Sequence, residues 1–280
     1  GKSTGVLRDQ YGVLPPGDVL KNLLALSPFS NAREILQARF TNHEAFEGHN
    51  AGNLLLTFMT RHAHGDFPAA VEAMSDMLKI RGTVLPVTTD KTTLVAELDN
   101  GERLYGEAAI DQPRGERSGN IQDVYLVPHH AKLEVHPAVV KAIADADAII
   151  IGPGDLYTSI IPNFLISEVP SAIRENKKAT LLYVANLMTK HGETHGYTIG
   201  QFVDVVECRI ERCVDRVVVN TGVLSTAVRD GYEEQSAYLV EPPREFGTKY
   251  VGADLLAEDG MIARHDSEAL RSLVEKLIFS

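Results

Sequence analysis

The second half of the chain alternates short apolar runs with amphipathic segments, and this pattern constrains the fold more than any other feature. The runs Ala148–Ile151 and Thr180–Val184 are apolar at nearly every position, which is typical of strands covered on both faces. The segments Pro137–Asp145 and Ile199–Ile210 have apolar residues at helical spacing. Further elements of this kind are predicted at 123–127, 163–176, 216–219 and 267–278. We therefore predict an α/β fold, a parallel sheet with helices on both faces.

The first third of the chain has a helical pattern throughout. A helix that starts with Asp18 as its N-cap would end at Ser27-Pro28, because proline cannot continue a helix. Three more helices are predicted to start near Ser30 or Asn31, near residues 48–50, and near residues 66–68.

A small antiparallel β insert is predicted near residues 83–120. Short β-rich runs occupy 83–87, 92–98 and 103–107, and Asn100-Gly101 between the last two is a strong hairpin signal. The Pro-, Arg- and Gly-rich stretch 112–120 would connect the insert to the rest. We expect one domain over residues 1–280 that carries this insert, and residues 83–109 are a candidate surface for a partner or for a homodimer.

The charge of the chain excludes some classes of partner. It has 27 Lys and Arg against 38 Asp and Glu, a formal net charge of −11. Nucleic acids and anionic membranes attract basic surfaces, so neither is expected as the main partner. The longest apolar runs, within 54–59 and 148–151, fall far short of the ~18 residues that span a bilayer, so no membrane insertion is expected. Cys208 and Cys213 lack metal-type spacing and suit two reduced thiols of a cytoplasmic protein.

The strongest local signal is the segment 152–159, which follows the predicted strand at Ala148–Ile151. Gly152 and Gly154 allow a ligand close to the backbone, and the hydroxyls of Thr158 and Ser159 can bond oxygens. A nucleotide phosphate or a sugar would suit such a pocket. A tight strand-to-helix turn with Asp155 as N-cap explains the same residues equally well. The spacing does not match the GxGxxG dinucleotide fingerprint.

Two other loops follow predicted strands in the same way, at 186–194 and 220–222. Ligands of parallel sheets bind beyond the carboxyl ends of the strands, so these loops would lie beside the glycine-rich turn. Asn and Thr are also common turn formers, but their recurrence at three strand ends favours a functional role.

Other motifs do not fit their usual chemistry. Gly1-Lys2-Ser3-Thr4 resembles the end of a phosphate-binding P-loop, yet Gly5 and later prolines interrupt the helix that such a loop needs. His191 and His195 are separated by residues that include Gly192, which breaks the helix that would aim both rings at zinc, so no metal site is predicted. No catalytic triad can be assigned from spacing, and the catalytic residues are unknown.

Several segments together resemble the YvcK family, also called the gluconeogenesis factor family. This family is related to CofD, the transferase that attaches 2-phospho-L-lactate to a deazaflavin. The matching segments are 3–8, 12–18, 52–54, 152–163, 186–189 and 192–194.

This resemblance implies a Rossmann-like fold and a nucleotide ligand, either a UDP-sugar or a dinucleotide. It also implies a bacterial cytoplasmic regulator of cell shape and envelope precursor supply during growth on gluconeogenic carbon. The ligand-binding residues that it implies are Gly152, Gly154, Asp155, Thr158 and Ser159 at the phosphates or sugar, Asn186 and Thr189 across the cleft, and Ser3, Thr4, Asp18, Asn22 and Asn53 from the first third.

The departures from the family pattern bear on the activity. The family's first strand, its glycine-rich turn and an Asp pair would all precede Gly1, so we expect an N-terminally trimmed chain. Lys2 stands where glycine is usual, and His191 where proline is common. Mg²⁺ would need carboxylates such as the Asp pair beside the phosphates. A regulator without chemistry is therefore one prediction, and a CofD-like 2-phospho-L-lactate transferase that uses Mg²⁺ is the alternative.

Overall fold

The computed structural model describes residues 16–40, 48–111, 119–130 and 132–279. The chain divides into two compact units. The first comprises Gly1–Lys91 with Glu134–Val139, and the second Thr92–Leu133 with Val140–Ser280. The prediction of a single domain stays a prediction.

The first unit contains a cluster of helices around an apolar core. Its helices are α1 (Pro16–Leu26), α2 (Ala32–Gln37), α3 (Ala51–His62) and α4 (Phe67–Leu78). Leu20, Leu56 and Met74 are almost fully buried in this core. The side chain of Asn50 caps α3 and that of Asp66 caps α4, each accepting a hydrogen bond from a backbone N–H of the first turn.

Two predictions for the first unit were wrong. Asp18 does not precede its helix but lies in the first turn of α1, which begins at Pro16 because proline is well tolerated there. Residues 83–87 form no strand, although their composition is β-rich. Propensity alone does not make a strand, since a strand also needs a partner for its backbone groups.

The second unit begins with a three-stranded antiparallel sheet in the order β2-β1-β3. Its strands are β1 (Thr92–Leu98), β2 (Arg103–Tyr105) and β3 (Ile121–Pro128), and a short helix, α5 (Glu107–Asp111), follows β2. The predicted hairpin at Asn100-Gly101 is confirmed, with Gly101 at φ +84°. The assignment of 123–127 to the parallel sheet was wrong, because β3 pairs antiparallel with β1 from Thr92 opposite Pro128 to Leu98 opposite Ile121.

The predicted parallel sheet is confirmed, with the order β4-β5-β6-β7. Its strands are β4 (Ala148–Ile151), β5 (Thr180–Val184), β6 (Arg216–Asn220) and β7 (Tyr250–Ala253). All neighbouring pairs are parallel, so the carboxyl ends of the strands lie at one edge. The strand β4 is not fully buried as expected, since Ile150 is 47% exposed on this outer strand.

Helices flank the parallel sheet. They are α6 (Pro137–Asp145), α7 (Glu168–Glu175), α8 (Ile199–Ile210), α9 (Thr226–Glu233) and α10 (Ser267–Phe279). The predicted bounds of α8 are confirmed, and its start is fixed by a capping box in which Thr198 and Gln201 bond each other's backbone N–H. The predicted helix 163–176 is instead a 3-10 turn at Ile161–Phe164 followed by the shorter α7.

A two-stranded antiparallel hairpin, β8 (Leu256–Asp259) and β9 (Ile262–His265), joins β7 to α10. Within the described ranges, no helix combines the length and the apolar character that crossing a bilayer requires.

Candidate functional site

The candidate site lies at the carboxyl edge of the parallel sheet, in the loops that follow β4 and β5. Parallel pairing of Ala148 with Thr180 through Ile151 with Tyr183 ends both strands at this edge. The segment 152–155, here called the Gly-Pro-Gly loop, therefore lies next to the segment that follows Val184.

The two glycines of the Gly-Pro-Gly loop have different roles. Gly152 has φ +75°, and a Cβ on it would lie 2.9 Å from the carbonyl oxygen of Val184. Packing within the protein therefore requires glycine at this position. A Cβ on Gly154 would make only ordinary van der Waals contacts, 3.5 Å from Cγ1 of Ile160 and 3.5 Å from Cβ of Ser159, so packing does not require glycine there. Glycine also permits a ligand to approach the backbone closely, and Gly154 is the glycine of this loop that packing leaves without another explanation.

The turn after the loop presents two hydroxyls. Asp155 precedes a five-residue π-helical turn, Leu156–Ile160, without capping it through its side chain. The side-chain oxygens of Thr158 and Ser159 form no hydrogen bond with any residue in the described part of the chain. They are therefore available to bond a ligand's oxygens. Tyr157 is different, because its hydroxyl pairs with that of Tyr197 at 2.7 Å and burial raises its pKa.

Asn186 and Thr189, from the loop after β5, both make contacts within the protein. The Nδ2 of Asn186 donates a 2.7 Å hydrogen bond to the carbonyl oxygen of Gly154. Thr189 is buried, and its backbone N–H donates to the Tyr238 carbonyl at 2.7 Å while its Oγ1 accepts from the Tyr238 N–H at 2.9 Å. These side chains therefore hold the loops of the site together.

The polar residue Asn220, at the start of the loop after β6, stabilises the turn of that loop. The Oδ1 of Asn220 accepts hydrogen bonds from the backbone N–H groups of Gly222 and Leu255, each at 3.0 Å. Its Nδ2 donates to the Gly222 carbonyl at 2.8 Å. Asn220 is thus a buried turn former.

A charged cluster that sequence reasoning did not single out lies beside the Gly-Pro-Gly loop. The Nζ of Lys190 lies 2.8 Å from Oδ2 of Asp155 and 2.9 Å from Oε1 of Glu193, and it also contacts Asp111. Glu193 is almost completely buried, with a side chain that is 1% exposed. We call these four residues the Lys190 cluster.

The electrostatics of the Lys190 cluster follow from burial and pairing. Burial opposes the charge of Lys190, but hydrogen bonds to Asp111 and Asp155 raise its pKa above the ordinary value overall. Burial raises the pKa of Glu193, and the charge of Lys190 offsets part of this. The ligand atoms of Asp111, Asp155 and Glu193 lie within 4.8 Å of one another, so these residues could hold a metal ion. They are not the Asp pair that the family pattern places before Gly1.

Several predicted residues belong to the first unit or lie outside the described residues. Ser3 and Thr4 lie outside the residues that the structure describes. In the first unit, Asp18 pairs with Lys21 at 3.0 Å and Asn22 donates to the Asp18 carbonyl at 3.0 Å, both at the surface. Asn53, also in the first unit, is buried, and its Oδ1 has no hydrogen-bond partner among the described residues.

The two histidines of the loop that follows β5, His191 and His195, make aromatic ring contacts. His195 lies between His191 and Tyr238, at centroid distances of 6.0 and 5.8 Å, with edge-to-face geometry. Beyond them, a cavity of about 310 Å³ is lined by Met188, Val223 and Tyr238 among others. Val223 is 81% exposed there, so the cavity has an apolar rim.

The fold and the loops at its carboxyl edge define an α/β protein of a known family. A family model described as 2-phospho-L-lactate transferase CofD matches residues 1–259, and the chain belongs to the CofD family.

Within this family the relatives are gluconeogenesis factors, as the sequence predicted. The chain is 33% identical over 285 residues to the gluconeogenesis factor of Bacillus subtilis, a match that covers 99% of this chain and 87% of that protein. It is 39% identical to a Thermoanaerobacterium thermosulfurigenes protein provisionally given the same name, over 99% of this chain and 86% of that protein. A solved structure of a Bacillus halodurans protein of the UPF0052 family is 32% identical, with a TM-score of 0.88, and the match covers 99% of this chain and 87% of that one.

The residues that sequence reasoning missed belong to the Lys190 cluster. Lys190 and Glu193 lie in the loop 186–194, for which the sequence favoured a functional role. Their i, i+3 spacing is that of an ion pair. Asp111 is the last residue of α5, and no role was predicted for it. No local signal connects it with residues about eighty positions later, because that contact depends on tertiary structure.

Proposed function

We propose that this chain binds a nucleotide sugar of the UDP-sugar class at the Gly-Pro-Gly loop and acts as a regulator rather than as an enzyme. The observation that carries the proposal is the pair of unengaged hydroxyls of Thr158 and Ser159 in the turn that follows the Gly-Pro-Gly loop. Backbone groups and hydroxyls at the carboxyl edge of a parallel sheet are suited to phosphate oxygens.

The cavity beside the loop that follows β5 is large enough for part of such a ligand. Its volume of about 310 Å³ lies at the small end of the range for ligand pockets, enough for a base or a sugar. Tyr238, which is 44% exposed, offers an aromatic edge there. The contact of Asn186 with Gly154 and the pairing of Thr189 with Tyr238 link the Gly-Pro-Gly loop to the wall of this cavity.

The name of one relative supports the gluconeogenic part of the cellular role that we propose. The Bacillus subtilis relative is named a gluconeogenesis factor. We infer that this chain works in the bacterial cytoplasm and supports cell shape and envelope precursor supply during growth on gluconeogenic carbon. Expression of the chain in a strain that lacks its own gluconeogenesis factor tests this role, and unchanged growth and shape defects would refute it.

Calorimetry tests the ligand. Titration of the full chain with UDP-N-acetylglucosamine and UDP-glucose should give saturable heat for at least one of them. Thr158→Val and Ser159→Ala should each weaken binding about tenfold, since a hydrogen bond to a charged group contributes about 1.5–3 kcal/mol. Ser272→Ala, which removes an exposed hydroxyl of α10, is the matched control and should leave affinity unchanged. No heat with either nucleotide from the folded protein would overturn the proposal.

A CofD-like transferase remains the second candidate, because the matching family model carries that activity in its description. Incubation with a deazaflavin acceptor, a 2-phospho-L-lactate donor and Mg²⁺ distinguishes the two. We expect no product, and conversion of the deazaflavin would replace the regulator with an enzyme.

A further inference from the structure

The Lys190 cluster draws three carboxylates from three separate segments of the second unit to one point. Asp111 ends α5, Asp155 belongs to the Gly-Pro-Gly loop, and Glu193 lies in the loop after β5. Their ligand atoms lie within 4.8 Å of one another, although like charges repel at such distances. Within the described ranges, a single ammonium, that of Lys190, contacts all three carboxylates.

Glu193 provides an observation that is independent of this clustering. Its side chain is 1% exposed, and Oε1 is directed at the Lys190 ammonium at 2.9 Å. Oε2 is fully buried and accepts no hydrogen bond from any residue within the described ranges. Burying a carboxylate oxygen without a hydrogen bond is costly, so Glu193 has unused coordination capacity, and its Oε1 faces the cluster.

The dimensions of the cluster fit a divalent cation. Oxygen ligands lie about 2.0–2.1 Å from Mg²⁺ and about 2.3–2.6 Å from Ca²⁺, so two oxygens on opposite sides of one ion are about 4–5 Å apart. Three carboxylates within 4.8 Å can therefore share one ion. The donors are all oxygens, which favours hard cations such as Mg²⁺, Ca²⁺ and Mn²⁺ over zinc or copper. The ammonium of Lys190 shows that the position already accepts a positive charge.

We propose that Asp111, Asp155 and Glu193 form a site for one divalent cation of the Mg²⁺ type, which competes with the Lys190 ammonium for the same carboxylates. Lys190 is a long side chain and is 30% exposed, so its ammonium can move away when a cation enters. Binding of the ion itself does not depend on the proposed nucleotide. Its role rests on the proposed function, because Asp155 adjoins Gly154 and a cation there would compensate the charge of a diphosphate on the loop.

Titration with Mn²⁺ alone tests the site. The full chain, freed of metal by a chelator, should bind one Mn²⁺, counted by the loss of the free-ion signal in electron paramagnetic resonance. Glu193→Gln and Asp111→Asn should each weaken Mn²⁺ binding at least about tenfold, because each removes a charged ligand. Asp145→Asn is the matched control, since this exposed carboxylate also pairs with a lysine, and it should leave Mn²⁺ binding unchanged.

Lys190→Gln separates a cation site from a purely structural ion-pair network. If the ammonium competes with the metal, its removal should strengthen Mn²⁺ binding several-fold. Absence of Mn²⁺ binding in both the wild type and Lys190→Gln, with circular dichroism showing both folded, would overturn the proposal. Equal binding by Glu193→Gln and the wild type would also overturn it, because the ion would then lie elsewhere.

A parallel titration with UDP-N-acetylglucosamine, with and without Mg²⁺, keeps the two proposals distinguishable. Mn²⁺ binding without any nucleotide binding would leave the cation site in place and overturn the proposed function. Nucleotide binding by a chain that binds no Mn²⁺ would support the proposed function and overturn the cation site.

Discussion

The side-chain amide of Asn186 is bonded to the backbone carbonyl of Gly154 at 2.7 Å, and this contact joins the loops that follow two neighbouring strands. The hydroxyl of Tyr183, a buried residue of β5, approaches Oδ1 of the same amide at 3.5 Å. The Gly-Pro-Gly loop is therefore held by the segment that follows β5, and the carbonyl group of Gly154 has a fixed orientation.

Asn186→Asp should weaken nucleotide binding more than it weakens the fold. A carboxylate cannot donate to the Gly154 carbonyl and would repel it, so the loop loses its fixed position. We expect a loss of about 1 kcal/mol in the free energy of unfolding, the usual contribution of one hydrogen bond. Calorimetry with UDP-N-acetylglucosamine should show a larger loss of binding free energy. Gln235→Ala, which removes another amide-to-carbonyl hydrogen bond, controls for general destabilisation.

Alanine substitutions at the two glycines of the loop should have opposite effects. Gly152→Ala should destabilise the protein by at least about 1–2 kcal/mol, because its positive φ disfavours a Cβ and the Val184 carbonyl is too close. Gly154→Ala should leave stability nearly unchanged, because its Cβ would meet only ordinary contacts. It should still weaken nucleotide binding, since the methyl group would lie 3.5 Å from Cβ of Ser159, whose hydroxyl we propose to bond the ligand. Urea unfolding and calorimetry measure the two effects, and unchanged affinity in Gly154→Ala would place the ligand elsewhere.

The elements that were predicted correctly are those whose own residues specify both the type of element and its ends. The helix α8 has a capping box at Thr198 and Gln201 and a regular apolar face, so its bounds could be read directly. The strand β5 is an apolar run whose last four residues are buried. Such elements can be predicted without knowing which other elements they pack against.

Elements that depend on distant partners were predicted less well. The strand β3 has the composition of any strand, and only pairing with β1 makes it part of the antiparallel sheet. The four-residue strands from β7 to β9 have few buried residues and gave no clear periodicity. In the candidate site, Gly154 and Asn186 were identified by their loops, whereas Asp111 reaches Lys190 only through the tertiary fold.

Arg212 should stabilise the second unit because both terminal nitrogens of its guanidinium, which form a fork, donate hydrogen bonds to backbone carbonyls. Its guanidinium donates to the carbonyl oxygens of Ile173 at 3.0 Å, Asn176 at 2.7 Å and Ala179 at 2.8 Å, and its side chain is 12% exposed. Arg212→Met should lower the free energy of unfolding by about 2–3 kcal/mol, because it leaves these carbonyls without their charged donor.

Two further variants make the prediction for Arg212 specific. Arg212→Lys should recover only part of the loss, since a single ammonium cannot reproduce the fork. Arg271→Met removes an exposed arginine that pairs with glutamates of its own helix and should cost less than about 0.5 kcal/mol. Wild-type stability of Arg212→Lys in urea unfolding would contradict the role of the fork.

His265 should make the protein less stable in mild acid. Burial lowers the pKa of this imidazole below its ordinary value, and a hydrogen bond with the backbone of Ala185 offsets part of the effect. The unfolded chain therefore binds the proton more readily than the folded one. The stability that the neutral ring contributes is present above the ordinary pKa of about 6.5 and is lost as the pH falls through the lower pKa of the folded state.

Urea unfolding of the wild type between pH 8 and pH 5 should thus show a falling free energy of unfolding, and His265→Gln should reduce that slope. His62→Gln, which replaces an exposed ring on α3, should keep the slope of the wild type. Equal slopes for His265→Gln and the wild type would mean that the proton is taken up by other groups. A steeper slope for His265→Gln would contradict the direction of the pKa shift, because removing the ring must remove its share of the proton uptake on unfolding.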